Sequence, residues 1–391
     1  MEWYRNNYKA NVKGLMNPIA KGGPALPTAN SNLINGKMRF DCSQTKLTCD
    51  TASYAAFNFT SGKNHRLRLM NIGSGAVQKF SIDNHVMQVI SNDCMPIQPY
   101  NTSVISLGVG QRADVVVFGS GKKGDKYWMR SNIVTCSIND GVLAEARAVI
   151  YYQGADISTL PTAPPNQGPS ASTSPMSCGN DPLTSTIPTY PIAVATPNVT
   201  QEFDITLKSN GTHMLYTMNN VSFRADFNDP VLNHAFDSTL KTLPINRNVW
   251  NLGTATEARV VIYNYNDAPH PIHLHGHNMQ VLNLGMGKWD GSIVRASNPQ
   301  RRDVQVMPPA ASATVPSFLV IQWTANNPGV WALHCHFAWH SSLGLVTTVV
   351  ERQSLMQSVL QNAAMTISPV CQNWNAFTQK GPLLSDTDSG L

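Results

Sequence analysis

The chain has 391 residues, enough for two domains that each bury a substantial core. Charged residues make up 13% of the sequence, and the formal net charge of +5 is spread along the chain without forming a run. This distribution predicts no nucleic-acid partner, and since no apolar stretch approaches the roughly 20 residues that span a bilayer, we expect no membrane-spanning segment.

The first 155 residues divide into a lead-in and a predicted β domain. Residues 1–30 are polar and broken by Gly and Pro, which is typical of a linker. In residues 31–155, short β-branched runs alternate with turn residues, and this pattern predicts an all-β sandwich or barrel. The predicted strands are 66–72, 78–82, 86–90, 103–107, 113–118, 127–132 and 146–152. His65 and His85 are isolated here, so this domain offers no set of metal ligands.

A second β domain follows a linker. Residues 156–190 are rich in Pro, Ser and Thr, and the predicted second domain occupies residues 191–355. Its predicted strands are 202–207, 213–217, 249–252, 258–263, 279–284, 318–323, 330–336 and 344–350. Apolar spacing predicts one helix over residues 351–363, with Leu355, Val359 and Leu360 on one side. Residues 356–391 are interpreted as a C-terminal helix and tail.

Two histidine-rich motifs dominate the second domain. The segment WALHCHFAWH occupies residues 331–340, and HPIHLHGH occupies residues 270–277. In an extended strand, His334 and His336 point to one face while Cys335 points to the other, toward His340. A cysteine thiolate with two imidazoles is the ligand set of a blue copper centre, and clustered imidazoles suit copper or zinc. The motifs therefore predict two metal sites back to back.

The upstream motif supplies the remaining imidazoles. His273 and His275 share one strand face, whereas His270 lies across a proline that interrupts regular pairing and is free to turn toward a different metal. Most single histidines are hydrogen-bonded core or surface residues. Two clusters that contain most of the 11 histidines, one of them with a cysteine, favour metal binding instead.

These motifs resemble the two copper motifs in the last cupredoxin domain of multicopper oxidases, with the spacing of laccases. Five further stretches resemble ascomycete fungal laccases, so the resemblance covers nearly the whole chain. They are LING at 33–36, HRLRL at 65–69, VGQR at 109–112, NPQRRD at 298–303 and DSGL at 388–391. The resemblance implies two tandem cupredoxin-like Greek-key β domains, the family's second and third, with no copper in the former.

The resemblance also implies roles for the motif residues. His270, Cys335 and His340 would hold a type 1 copper, with Leu345 at the axial position as an aliphatic residue that offers no donor. The remaining motif residues would serve a trinuclear cluster, with His273 on the type 2 copper and His275, His334 and His336 on the type 3 pair. Phenols or related aromatics would be oxidised in one-electron steps, and dioxygen would be reduced to water.

One departure from the family concerns the trinuclear cluster. The family uses eight histidines there, half of them from two H-x-H motifs in its first domain, and this sequence contains no such second pair. We therefore expect a half-ligated cluster that needs a missing first domain or a different chain to complete it. The sequence before residue 30 has no signal peptide, although the resemblance implies secretion, so we expect that Met1 is not the natural start.

Alternative functions follow from the same observations. A non-enzymatic type 1 copper protein that carries electrons would need only His270, Cys335 and His340, and an inactive truncated fragment is the other alternative. Oxidation of ferrous iron is less favoured because no acidic cluster accompanies His270 or His340. A tandem sandwich pair for adhesion would be favoured only without the histidine motifs.

Carboxylates and cysteines complete the predictions. By resemblance, Asp93 is the candidate catalytic residue that accepts a phenolic proton, although a simple turn aspartate is equally favoured, and Asp303 is expected to pair with its neighbours. Cys42 and Cys49 could close a small disulfide loop, and the resemblance implies a Cys136–Cys178 disulfide. Cys94 and Cys371 are left without partners. Sequons at Asn58, Asn101, Asn198, Asn210 and Asn220 permit N-glycosylation in the secretory route.

Overall fold

A computed structural model gives the fold of this protein. It describes residues 2–3, 31–39, 42, 53–133, 145–163, 179–359 and 363–379. Within these ranges, no helix has both the length and the apolar character needed to cross a bilayer.

Two sheets form the first half of the chain. A five-stranded sheet has the order β3-β11-β10-β5-β8, and a four-stranded sheet has the order β4-β9-β6-β7. All pairs are antiparallel except β3 with β11. The strands are β3 (Ala55–Phe59), β4 (Asn64–Met70), β5 (Gln78–Ile82), β6 (Met87–Asn92), β7 (Met95–Thr102), β8 (Val104–Leu107), β9 (Arg112–Phe118), β10 (Lys126–Ile133) and β11 (Glu145–Tyr152). Two short strands, β1 (Glu2–Trp3) and β2 (Ser31–Asn32), pair with each other. Strand β1 lies in the predicted lead-in, and β2 lies at the start of the predicted β domain.

All seven strands predicted for this half are present, but β3 and β7 were not predicted. Strand β7 contains Pro96 and Pro99, which argue against a strand in a sequence pattern. Proline is tolerated here because β7 lies at the edge of its sheet, and within the described residues its outward side makes only two backbone hydrogen bonds, from Thr189 to the Pro96 carbonyl and from Gln98 to the Ile187 carbonyl. Strand β3 is also an edge strand and begins with two alanines, which have low strand propensity.

The second half contains two larger sheets. One has the order β13-β12-β15-β20-β17-β18, and the other has the order β14-β22-β21-β16-β19. The strands are β12 (Val199–Ser209), β13 (Met214–Met218), β14 (Val249–Asn251), β15 (Glu257–Asn264), β16 (His270–Leu274), β17 (Met279–Met286), β18 (Gln300–Arg302), β19 (Val304–Met307), β20 (Ser317–Thr324), β21 (Gly329–Cys335) and β22 (Val346–Glu351). The all-β prediction and the cupredoxin-like architecture are thereby confirmed. The predicted domain boundaries stay predictions.

Helices are few, and the prediction for the C-terminus needs correction. In place of one helix over 351–363, the described residues form α3 (Gln353–Val359) and α4 (Ala363–Thr378). The described part of the chain also contains α1 (Val231–Phe236), α2 (Ala338–Ser342) and the short 3-10 turns Leu240–Thr242 and Ile245–Arg247. The expected apolar side of α3 is also wrong, because Leu355 and Val359 are exposed and Met356 is fully buried. Leu360 lies outside the described residues.

The two halves are joined by a shared core and by polar contacts. Val77 and Val109 of the first half belong to the same apolar cluster as the interior of the second half. The fully buried Gln111 donates from Nε2 to the Val304 carbonyl at 2.8 Å, and Arg112 forms a bidentate ion pair with Asp303 at 2.7 and 2.9 Å. Residues 109–112 therefore anchor the first half directly beside strand β19.

Substitution of Arg130 tests how much the buried ion pairs stabilise the first half. Its side chain is fully buried and bonds Asp83 at 2.7 and 2.8 Å and Glu145 at 3.2 Å. We expect Arg130→Met to lower the free energy of unfolding by about 3 kcal/mol, because a buried carboxylate loses a partner, although Arg147 still lies 3.3 Å from Glu145. Urea denaturation would measure this change.

Arg66→Met provides the matched control, since Arg66 pairs with Asp114 while about half of its side chain is exposed. That variant should change the free energy of unfolding by about 0–1 kcal/mol. Equal effects of the two substitutions would contradict a structural role for the buried network.

Candidate metal centres

The pairing of β16 with β21 positions the predicted ligands. Strand β16 lies between β21 and β19, and the register sets His273 opposite His334 and Ile272 opposite Cys335. Because residues directly opposite each other share a face and successive residues alternate, the two histidines lie on one face and Cys335 on the other. Ile272 and Cys335 both belong to the core of the second half. One strand pair thus separates two candidate sites.

The first candidate, the cysteine site, consists of His270, Cys335 and His340. All three are fully buried, and their potential ligand atoms lie within 4.8 Å of one another. Nδ1 of His270 is 3.0 Å from Nδ1 of His340, which is 3.6 Å from the Cys335 sulfur. Helix α2 makes this possible, because its single turn brings His340 back to the strand that it follows. The structure thus brings together three residues that the sequence placed in one site, and their role as metal ligands stays a prediction.

The electrostatics of the cysteine site suit a metal ion. Burial lowers the pKa of His270 to about 3 and that of His340 well below its usual range, so both imidazoles are neutral with a free lone pair. Burial raises the pKa of the Cys335 thiol, and the Phe337 amide donates to its sulfur at 3.4 Å. A buried thiolate needs a positive partner, and a soft thiolate with two imidazoles fits copper.

Leu345, the residue predicted for the axial position, lies beside the cysteine site. It is fully buried, and its carbonyl accepts from the Cys335 amide at 3.2 Å while its amide donates to the His340 carbonyl at 3.1 Å. These backbone bonds hold Leu345 between two of the candidate ligands. Its side chain has no atom that could ligate a metal, and its axial role stays a prediction.

The second candidate, the imidazole cluster, consists of His273, His275, His334 and His336. Potential ligand atoms of the first three lie within 4.8 Å of one another, and Nε2 of His275 is 3.0 Å from Nε2 of His334. The His336 ring lies 5.5 Å from that of His273 and 5.7 Å from that of His334. His275 is exposed and the other three are partly exposed, so this site opens at the surface. Four imidazole donors on one surface suit copper or zinc.

Backbone carbonyls orient two rings of the imidazole cluster. Nδ1 of His273 lies 2.7 Å from the Asp303 carbonyl, and Nδ1 of His334 lies 2.7 Å from the Cys335 carbonyl. Since a carbonyl only accepts, both Nδ1 atoms carry the proton, and each Nε2 presents its lone pair to the cluster. Burial is the main cause that lowers the pKa of His334, to about 3, which keeps this imidazole neutral. Such outer hydrogen bonds are typical of metal-ligating histidines.

The first half contributes directly to the imidazole cluster through Gly110. Its φ is +83°, and a Cβ at this position would lie 2.5 Å from Cδ2 of His336. The His336 amide also donates to the Pro271 carbonyl at 2.6 Å. His336 is therefore positioned from both halves of the chain, which spacing within its own motif did not reveal.

His277, the motif histidine without a predicted role, lies behind the imidazole cluster. Its Nδ1 bonds the His275 carbonyl at 2.9 Å, and its Nε2 lies 3.0 Å from the fully buried Glu351 carboxylate. The other Glu351 oxygen accepts from the Asn327 amide at 2.6 Å, and Asn327 bonds the Gly276 carbonyl at 3.1 Å. This network holds the turn that presents His275.

Asp93 occupies a buried ion-pair network. One carboxylate oxygen accepts from Arg302 Nε at 2.7 Å, and the other accepts from the Arg112 amide at 2.7 Å. Asp93 lies in a hairpin turn with φ of 44°, as expected for a turn aspartate. Its catalytic role stays a prediction. The expectation that Asp303 pairs with its sequence neighbours is wrong, because its partner is Arg112 in the other half.

Two sequence predictions about cysteines remain open. Cys49, Cys136 and Cys178, on which both proposed disulfides depend, lie outside the described residues. Cys94 is an exposed free thiol, and Cys371 is a free, partly buried thiol in α4.

A cupredoxin-like fold with a buried Cys-His-His site behind a surface cluster of imidazoles is typical of a copper-binding domain. Comparisons with known proteins agree. The model of the multicopper oxidase family matches residues 1–155, and a second multicopper oxidase model matches residues 202–354. The chain belongs to the multicopper oxidase family.

Similar proteins include several fungal laccases. Laccase-2 of Botryotinia fuckeliana is 32% identical over 94% of this chain, and the chain spans 62% of that relative's length. The crystal structure of the laccase from Botrytis aclada has a TM-score of 0.84 at 30% identity, covering 100% of this chain and 69% of that one. Fet3p, described as a multicopper oxidase that functions in iron import, has a TM-score of 0.72 at 22% identity over 91% of this chain and 65% of its own, which shows the fold alone.

Gly110 provides a test of how the halves cooperate. We expect Gly110→Ala to displace the His336 ring and to lower the affinity of the imidazole cluster for Cu(II) by at least tenfold, measured by titration against a competing chelator. Gly62→Ala is the matched control, because Gly62 has a φ of +71° and nothing within 4 Å of its added Cβ. Both variants incur the ~1–2 kcal/mol cost of a left-handed alanine. Equal metal affinities in the two variants would contradict the positioning of His336 by Gly110.

Asp93→Asn separates the two roles considered for this residue. The substitution weakens contacts with Arg302, whose side chain is only 3% exposed, and we expect the unfolding free energy to fall by about 1–3 kcal/mol. A thermal melt would be measured together with the single-turnover rate at which a phenol bleaches the absorption of the copper-loaded chain. An unchanged melting temperature with slower bleaching would instead favour a catalytic carboxylate.

Proposed function

We propose that the chain forms the electron-accepting part of a laccase-like multicopper oxidase that oxidises phenolic or related aromatic compounds in one-electron steps. The observation that carries this proposal is the back-to-back arrangement around Cys335. Its sulfur belongs to the cysteine site, while its neighbours His334 and His336 belong to the imidazole cluster. With copper bound, the cysteine site would accept single electrons from the donor and the imidazole cluster would reduce dioxygen to water.

The protein's own residues support this division of labour. Cys335 is covalently continuous with both flanking histidines, so a short path of bonds joins the two sites. The cysteine site is fully buried, which excludes water from the thiolate and keeps both imidazoles neutral. The imidazole cluster opens to solvent at His275, as access for dioxygen would require. Aliphatic Leu345 beside the cysteine site favours the reduced state of copper and thus an oxidising centre.

We further propose that the imidazole cluster is completed by ligands from outside these 391 residues, from either a preceding domain or a different chain. Four imidazoles supply at most four bonds, too few for three copper ions in the trinuclear arrangement implied by the family resemblance. Among the described residues, the only groups suited to hold a metal are the two sites in the second half. The exposure of His275 supports a ligand-donating partner on this face.

An electron-carrying copper protein is the second candidate function. It is favoured by one specific observation: the cysteine site is assembled and buried entirely within this chain, whereas the imidazole cluster is partly exposed. Such a protein would accept and donate single electrons without consuming dioxygen.

Secretion is part of the proposal. All five sequon asparagines are exposed, at Asn58, Asn101, Asn198, Asn210 and Asn220, so each side chain is accessible to a glycosylating enzyme. The fungal laccase relatives support an extracellular location.

Copper titration of the recombinant chain tests the cysteine site. Wild-type protein should develop the intense visible absorption of a copper–thiolate bond, and Cys335→Ser should lose it because a hydroxyl is a poor soft-metal ligand. Cys94→Ser is the matched control, since Cys94 is an exposed thiol outside both sites. Absorption that survives in Cys335→Ser would contradict the proposal.

Oxygen consumption then separates the two candidate functions. With a phenolic donor, these 391 residues alone should lose the visible absorption once and show no sustained dioxygen uptake. Addition of the ligand-donating domain from a fungal laccase should start uptake if the oxidase proposal is right, whereas the electron carrier would stay inactive. Sustained uptake by the chain alone would contradict the requirement for outside ligands.

A further inference from the structure

Tyr216 covers the cysteine site and was not singled out from the sequence. It lies on β13, only 4% exposed, with its ring centroid 4.6 Å from that of His340 and 5.3 Å from that of His270. Its ring is tilted by 45° to the former and nearly perpendicular to the latter. A buried tyrosine usually has a hydrogen-bond partner for its hydroxyl. The partners of the Tyr216 hydroxyl therefore indicate the role of this residue.

Two hydrogen bonds fix the direction of the Tyr216 hydroxyl. The hydroxyl oxygen is 3.2 Å from Oδ1 of Asn266 and 3.4 Å from Nε2 of His340. Asn266 Oδ1 also accepts from the Ala268 amide at 3.0 Å, which fixes the orientation of the Asn266 amide group. Because Oδ1 only accepts, Tyr216 donates to Asn266 and presents a lone pair to His340.

The His340 ring is the first donor in this series of hydrogen bonds. Its Nδ1 lies toward the Cys335 sulfur and Nδ1 of His270, so Nδ1 is the atom available to a metal. The proton of the neutral ring is then on Nε2, where it meets the Tyr216 oxygen. Both hydrogen bonds therefore run in one direction, from His340 through Tyr216 to Asn266.

His270 lacks the hydrogen bond that His340 makes through its Nε2 atom. Its Nε2 is buried without a hydrogen-bond partner in the described part of the chain. Of the two imidazoles in the cysteine site, only His340 is thus oriented by a polar side chain. The Tyr216 ring also covers the Nε2 edge of His340, which is fully buried.

We propose that Tyr216 is a positioning residue that selects Nδ1 of His340 as the metal ligand and increases the donor strength of this imidazole. This inference rests on the proposed function, because it concerns the same copper site. A hydrogen bond accepted from Nε2–H makes the ring a better electron donor, which stabilises Cu(II) relative to Cu(I). Tyr216 therefore lowers the reduction potential of the site and strengthens its hold on Cu(II).

Tyr216→Phe keeps the ring and removes only the hydroxyl. We expect a 10- to 100-fold loss of Cu(II) affinity, measured by competition with a chelator, and a higher reduction potential in a redox titration of the visible absorption. Tyr152→Phe is the matched control, because Tyr152 is 1% exposed and its hydroxyl bonds a histidine that is not a metal ligand, His85, at 2.6 Å. The control should match wild type in both quantities.

A second variant tests the direction of the effect. Asn266→Asp keeps an acceptor for the Tyr216 hydroxyl and makes it stronger, so we expect the reduction potential to fall. In the Tyr216→Phe background the same substitution should shift the potential less, since the hydroxyl that transmits the effect is gone. If Tyr216→Phe folds poorly, Asn266→Asp in the wild-type background still tests the inference, and an unchanged reduction potential would contradict it.

The outcomes are distinguishable. A Tyr216→Phe protein with wild-type affinity and potential, or equal changes in the Tyr152→Phe control, would overturn the positioning role. A wild-type chain that develops no copper–thiolate absorption would overturn the proposed function itself. Wild-type absorption, with selective weakening and a raised potential in Tyr216→Phe alone, would establish the inference.

Discussion

The register between β16 and β21 is the constraint on which both candidate sites depend. It sets His273 opposite His334 and Ile272 opposite Cys335, so a two-residue periodicity sends imidazoles to the surface and sulfur to the core. A slip of one residue would exchange the faces and bury the imidazoles. The core packing of Ile272 and Cys335 makes such a slip costly, because the same apolar contacts that stabilise the second half fix the register.

The first half acts as a support for this arrangement. Gly110 contacts the His336 ring, and the neighbouring Gln111 and Arg112 bond residues of β19 and the turn before it. Since β19 pairs with β16, these contacts hold the ligand-bearing strand from its far side. The Asp303 carbonyl orients His273 while its carboxylate pairs with Arg112, so one residue couples the interface between the halves to the geometry of a candidate ligand.

Much of the fold and most of the candidate ligands could be predicted from local sequence. Strict alternation in HCH indicated opposite faces, and β-branched runs between turns indicated strands. Local patterns failed where tertiary context decides: the proline-containing β7 is tolerated only as an edge strand, and the partner of Asp303 is 191 residues away. Tyr216 escaped notice for the same reason, since nothing near it in sequence reveals that its hydroxyl meets His340 across 124 residues.

X-ray absorption at the copper edge, on the chain loaded with one equivalent of Cu(II), tests the central claim most directly. If His270, Cys335 and His340 form the site, the spectrum should show one sulfur ligand at a short distance together with two imidazole nitrogens, and the sulfur should be absent in Cys335→Ser. A first coordination sphere of nitrogen and oxygen alone in the wild-type chain would contradict the assignment, and with it the role of Cys335 as the link between the two sites.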